Sequence, residues 1–181
     1  MKHTFLILSL LVRIFALTLI ACQQNDALTE LVNPSTSKDT TNSHDSHLTV
    51  YKTPSCGCCT KWLEHLAESG VPTTDKNLSS LAQVKSDLGI APRYRSCHTG
   101  VSEDGFVFEG HVPAKFIKQF LNNPPKEAFG LSVPAMPIGS PGMEVDDGNG
   151  GSKFMPYKVL QLNKDGSTEV FSNVPSYSHQ F

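Results

Sequence analysis

The chain has 181 residues and a formal net charge of −2, from 15 Lys and Arg against 17 Asp and Glu. That length fits one domain with appendages. So balanced a charge, with no basic stripe, argues against nucleic acid as a partner.

In chain order, the N-terminus reads as a targeting segment. Lys2, His3 and Arg13 carry positive charge, and 5–12 and 14–20 are apolar. Arg13 splits the apolar run, so the hydrophobic region of a signal peptide shortens to 14–21. Leu19-Ile20-Ala21-Cys22 resembles the lipobox of bacterial lipoprotein precursors. That resemblance implies cleavage before Cys22 and lipidation of its thiol, with 1–21 as signal peptide. Gln23 in place of Asp at the next position points to the outer membrane of an envelope protein. Residues 22–47 are polar and read as a flexible tether, whose coil spans about 25–30 Å. His44 and His47 lie here and read as solvated.

The folded domain is expected over 48–181. Residues 48–51 read as a strand. The turn at Pro54-Ser55 leads into a helix over 59–69, with Trp62, Leu63 and Leu66 on one buried face and Gly70 as its C-terminal cap. His65 on that helix reads as solvated. Residues 71–74 suit an edge strand. A second helix is expected over 78–88, with Leu78, Leu81, Val84, Lys85 and Leu88 on one stripe and the Lys85 head reaching solvent. Residues 96–101 and 106–108 read as strands around an Asp104-Gly105 turn. Pro113 opens a third helix with Phe116, Ile117, Phe120 and Leu121 inward. The order β-α-β-α-β-β-α, with a cysteine motif at the first strand-to-helix turn, gives an α/β, thioredoxin-like fold. Residues 130–156 lack a period and read as a long Met-, Pro- and Gly-bearing loop. Asp146 to Gly151 within it lacks the later Glu of a calcium loop and reads as a loop tip. A C-terminal hairpin follows, 157–163 and 168–171 around Asp165-Gly166.

The chemistry gathers at Cys56-Gly57-Cys58-Cys59. Three thiols in four positions at the start of a helix make a poor core. They make a good redox or soft-metal site, because the helix dipole favours the thiolate. In the expected fold, the turn entering the third strand faces this motif, so Cys97-His98 belongs beside it. With Cys22 lipidated, Cys56, Cys58, Cys59 and Cys97 remain. Four thiols can pair in three connectivities, including a Cys97 disulfide to one of the other three, or bind metal together. Met136 and Met143 sit in a Pro- and Gly-dense loop that neither helix nor strand period explains. Thioether joined to thiolate favours copper(I), whereas zinc accepts cysteine and histidine but rarely methionine. Taken singly, each methionine reads as a loop plug. Met155 reads as packing and His179 as a tail residue. His98 is a ligand candidate, and His111 is either a ligand or a polar residue opening the helix.

Several ordered motifs carry a family resemblance. They are Tyr51 to Cys59, Trp62, Ser96-Cys97-His98-Thr99, Glu109-Gly110-His111-Val112-Pro113, Gly130-Leu131, Val133-Pro134, Met136-Pro137 and Gly139 to Glu144. Together they resemble the CopG-like family of bacterial proteins carrying the domain of unknown function 411, over roughly 48–171. The stretch Gly100 with Ser102 to Asp104 departs from the pattern, in the strand and away from the site. The resemblance implies a thioredoxin-like fold, a periplasmic location, copper at a cysteine cluster, and a redox role in copper tolerance. Matched to the motifs, the site residues are Cys56, Cys58, Cys59, Cys97, His98, Met136 and Met143.

Three functions compete. One is a lipid-anchored envelope protein that binds copper(I) and meets other copper-handling envelope proteins. The second is a thiol–disulfide oxidoreductase using Cys56 and Cys59, in which Cys58 is an awkward competing exchange partner. The third is a disulfide-stapled binding module.

Overall fold

The computed structural model describes residues 46–181. The expected signal peptide and lipobox with Cys22, and the expected tether through His44, lie outside the described residues. His47, at the tether's end, places Nε2 3.1 Å from Thr74 Oγ1.

Five segments follow the expected order. They are β1 (Leu48–Lys52), α1 (Gly57–Glu68), β2 (Thr73–Asn77), α2 (Ala82–Asp87) and, after a 3-10 turn at Pro92–Tyr94, β3 (Thr99–Ser102). β4 (Val107–Gly110) and α3 (Ala114–Asn122) complete the β-α-β-α-β-β-α run. β5 (Ala128–Val133), a two-stranded ribbon of β6 (Val145–Asp146) and β7 (Ser152–Lys153), and the hairpin β8 (Tyr157–Asn163) and β9 (Thr168–Val174) follow. A 3-10 turn at Tyr177–Gln180 ends the chain.

Seven strands form one mixed sheet in the order β2-β1-β3-β4-β5-β8-β9. β1 runs parallel to β2, β4 runs parallel to β5, and the other pairs are antiparallel. β1 and β4 lie inside this sheet, and their side chains are mostly buried. Trp62 and Leu66 of α1 and Phe116, Ile117 and Phe120 of α3 join Val50, Phe108 and Leu131 in one hydrophobic core. These are the apolar stripes read from helical spacing. Phe120 meets Phe108 edge-on, with ring centroids 5.8 Å apart.

Three expectations are corrected. The stretch 130–156 is not loop from its start. Its first residues complete β5, whose Leu131 and Val133 are fully buried between β4 and β8. A strand covered on both faces shows an apolar run and no alternation, and its glycine and serine hid even that. The second helix is shorter than 78–88, since only Ala82–Asp87 is helical. Lys85 is not solvated but only 3% exposed.

The position of Lys85 follows from strand geometry. Gly100 pairs with Phe108, and Thr99 pairs with Glu109. Successive side chains alternate between faces, so Phe108 joins the core under α3 while Glu109 points to the opposite face. There it meets Lys85 of α2.

Candidate functional site

β1 ends at Lys52, and the turn through Pro54 and Ser55 delivers Cys56 to the cap position of α1. The Cys56 thiol makes no capping hydrogen bond, because it is disulfide-bonded to Cys59 one helical turn on. Cys59 is buried within α1, while Cys58 is half-buried and free. Across from them, the segment entering β3 carries Cys97, also free. The disulfide is therefore internal to the motif, and the alternative pairing through Cys97 is not formed.

The four sulfurs lie within 4.8 Å of one another. Cys58 Sγ is 3.5 Å from Cys56 Sγ and 3.9 Å from Cys97 Sγ. Two imidazoles close the other side, with His98 Nδ1 3.2 Å and His111 Nε2 3.3 Å from Cys97 Sγ. Cys97, His98 and His111 form a second close group that shares its cysteine with the first.

Each imidazole is fully buried. His111 donates Nδ1–H to the Pro141 carbonyl at 2.8 Å. That bond fixes the tautomer and leaves the Nε2 lone pair facing Cys97. His98 stacks on Trp62, with ring centroids 4.2 Å apart, and its Nε2 has no hydrogen-bond partner. Burial holds the His98 pKa well below the usual histidine range and lowers that of His111. Both rings are therefore neutral near pH 7 and can offer lone pairs. Burial, reinforced by the neighbouring Cys58, pushes the Cys97 thiol up to about 12. Cys97 rests as a thiol until something replaces its proton.

The turn carrying Cys97 and His98 is tied down by a buried ion pair that sequence reasoning missed. Glu109 Oε1 accepts from Lys85 Nζ at 2.5 Å and from the Ser96 backbone N–H at 2.5 Å. Its Oε2 accepts from the Thr99 hydroxyl at 2.6 Å. Lys85 also donates to Thr99 Oγ1 at 2.8 Å and to the His98 carbonyl at 3.3 Å. Ser96, His98 and Thr99, which flank Cys97, are all held by these two charged groups. The sequence signals were a lysine on a leucine stripe and a glutamate within Val107-Phe108-Glu109.

Two glycines set close approaches that a side chain would block. Gly110 has φ +73°, and a Cβ there would lie 2.5 Å from the Val133 carbonyl and 2.8 Å from Ser96 Cβ. Gly142 has φ +85°, and its Cβ would lie 2.6 Å from the Cys58 carbonyl and 2.8 Å from the Trp62 nitrogen. The methionine-bearing loop thus lies directly on the first turns of α1. Met143, next along the chain, is half-buried, whereas Met136 is 40% exposed. Ala135 and Met136 both take left-handed φ, which is costly for residues with a side chain. Gln180 fastens the same loop from outside, donating to the Gly139 carbonyl at 2.8 Å while accepting from Tyr157.

The remaining candidates lie apart from this cluster. His65 is half-buried, not solvated, and its Nε2 accepts the Ala114 N–H at the start of α3. His179 is exposed and bonds to Ser176. Met155 is exposed at the loop's end. Among the described residues no helix is long and apolar enough to cross a membrane.

The family model described as protein of unknown function, DUF411, matches residues 94–143. That span holds Cys97, His98, Glu109, His111 and the loop through Met143. No curated protein matches the chain. Two solved structures do, forms 1 and 2 of the copper resistance protein CopG. Each is 37% identical with a TM-score of 0.64; the alignments cover 72% and 71% of this chain and 98% of each of theirs. With nearly the whole of those structures aligned and the family's motifs in order, the chain belongs to the DUF411 family of CopG-like proteins.

Proposed function

We propose that this protein is a lipid-anchored envelope protein that binds copper(I) and acts in copper resistance. The observation that carries the reading is the convergence of four cysteine sulfurs within 4.8 Å, flanked by two buried histidines. Its likeness to proteins named for copper resistance supports the same metal. The donors fit the ion. Sulfur is soft, thiolates can bridge two ions, and neutral imidazole complements them, whereas calcium and magnesium want oxygen.

The protein's residues have separable parts in this reading. Cys56, Cys58, Cys59 and Cys97 bind, and His98 and His111 complete the site. Met143 and Met136 supply thioethers from the covering loop. Glu109 and Lys85 hold the turn that presents Cys97. Zinc would accept the sulfur and nitrogen donors but makes little use of the methionines. The strand order β2-β1-β3-β4, with the cysteines where β1 meets α1, supports a thioredoxin-like core carrying an extra hairpin. The lipobox at Cys22 is what supports a periplasmic location on the outer membrane.

A second reading is favoured by one specific feature. The Cys56–Cys59 disulfide at the start of α1 is also what a thiol–disulfide oxidoreductase would use. Cys58, 3.5 Å from Cys56, weakens that reading because it competes for exchange. Elemental analysis of protein purified from copper-fed cells, with free thiols counted on the same sample, tests the first reading. Copper bound at stoichiometric amounts is expected. Metal-free protein that reduces insulin faster than a free dithiol would favour the second.

A further inference from the structure

We propose that Gln180 is a positioning residue for the sulfur cluster. The segment 177–181 is a strap that holds the covering loop at 139–143 down on the first turns of α1. It thereby sets how readily reagents and ions reach Cys58. The inference rests on reading the cluster as the working site and adds what controls access to it.

Burial along the tail carries the argument. Of residues 175–181 only Gln180 is buried, and it is 0% exposed. A buried amide is costly unless it is paired. This one is paired at both ends, to groups far from it in sequence. Its Nε2–H donates to the Gly139 carbonyl at 2.8 Å, and the Tyr157 hydroxyl donates to its Oε1 at 2.7 Å. Gln180 thus ties the covering loop to β8. The rest of the tail keeps it in place. Lys115 of α3 donates to the carbonyls of His179 at 3.1 Å and Phe181 at 2.9 Å. Phe181 meets His65 of α1 edge-on, with ring centroids 5.9 Å apart, and Tyr177 meets Phe154 at 6.3 Å.

The loop passes this constraint to the cluster. The Gly139 N–H donates to the Met143 carbonyl at 2.9 Å, and the Met143 N–H donates to the Ser140 carbonyl at 2.7 Å, so 139–143 is one closed turn. Within it, the Pro141 carbonyl accepts from His111 Nδ1. Gly142 lies so close to the Cys58 carbonyl and the Trp62 nitrogen that no side chain fits. Holding Gly139 therefore holds Pro141 on His111 and Gly142 on Cys58. Just before the turn, Ala135 and Met136 take left-handed φ, a conformation that the surrounding structure must enforce.

The test compares Gln180→Ala with the wild-type full chain, metal-free and with the Cys56–Cys59 disulfide intact. The substitution removes two hydrogen bonds and should raise the open fraction of the loop about 5- to 30-fold. Amide hydrogen exchange in 139–143 reads that opening directly. Iodoacetamide labelling, located on Cys58 by peptide mapping, reads access to the cluster. Both rates should rise together. Asn163→Ala is the comparator for general destabilisation, because Asn163 is a buried, hydrogen-bonded residue at the far end of β8. It should leave both rates unchanged. Wild-type exchange in 139–143 of Gln180→Ala would overturn the inference. So would faster exchange with unchanged Cys58 labelling, or an equal response in Asn163→Ala. An anaerobic copper(I) titration of the reduced wild-type protein separates the two claims. Copper uptake without a Gln180→Ala response sinks this inference alone, whereas a Gln180→Ala response without copper uptake sinks the functional reading alone.

Discussion

Glu109→Gln is the sharpest perturbation of the scaffold behind the site. Both members of the Lys85–Glu109 pair are at most 3% exposed, so neither charge can be solvated in place. A Gln side chain can keep one oxygen on Lys85 and Ser96 and turn its amide toward Thr99. The hydrogen-bond count then survives while the negative charge is lost. Burial already lowers the Lys85 pKa, and the Glu109 carboxylate is the main influence pulling it back up. Removing that pull leaves a buried cation uncompensated, or forces it to shed its proton. Breaking a buried pair in this way costs about 3–5 kcal/mol. At about 2–4 °C per kcal/mol, the figure for slightly larger domains, the melting temperature should fall by roughly 6–20 °C. Denaturant unfolding of the metal-free protein measures the loss directly. Adding Lys85→Met to Glu109→Gln should restore much of it, since the stranded charge is gone. A Glu109→Gln variant within about 0.5 kcal/mol of wild type, the range of ordinary surface changes, would refute the claim that this pair holds the Ser96–Thr99 turn.

Other outcomes follow from the same geometry. His98, His111 and His65 all have pKa values lowered first by burial. The folded protein keeps them neutral while the unfolded chain takes up protons below about pH 6.5. Stability should therefore be complete about a pH unit above that value and fall as pH drops toward 5, by up to about 1.4 kcal/mol per pH unit for each of the fully buried His98 and His111 and by less for half-buried His65. A melting temperature that stays flat from pH 7 to 5 would contradict this, and His98→Gln should flatten the slope. Gly142→Ala should destabilise by about 2 kcal/mol or more, from its positive φ and the collision with the Cys58 carbonyl. Wild-type stability in that variant would show that the loop does not seat on α1. With its pKa near 12, Cys97 should have a thiolate fraction of about one in ten thousand at pH 8. Peptide mapping after iodoacetamide treatment should find Cys97 modified slowly, and faster as pH rises. Alkylation at pH 8 as fast as that of free cysteine would be inconsistent with this environment.

Local chemistry made much of the fold legible. Pro54-Ser55 before Cys56, the Trp62 and Leu66 spacing, the Asp104-Gly105 turn, and Phe116, Ile117 and Phe120 each report a neighbourhood of a few residues. The juxtaposition of Cys97 with Cys58 across 39 residues was also accessible, because element order alone puts the β3 entry opposite the β1–α1 turn. Long-range charge pairing was not. Lys85 looked like a snorkelling lysine because a single helix cannot reveal that the strand beneath it carries Glu109. β5 was hidden because a strand between two others needs no alternation, and Gly130 and Ser132 diluted its apolar run. The half-burial of His65 depends on the Ala114 N–H, 49 residues away.

Metal uptake by the thiols is the property on which the proposed function depends. Reduced protein, titrated anaerobically with copper(I) and passed through a desalting column, should retain copper in stoichiometric amounts. A Cys58→Ser variant should retain less, because Cys58 is the sulfur shared between the motif and Cys97. Protein that emerges with four reduced thiols among Cys56, Cys58, Cys59 and Cys97 and no copper would contradict the account.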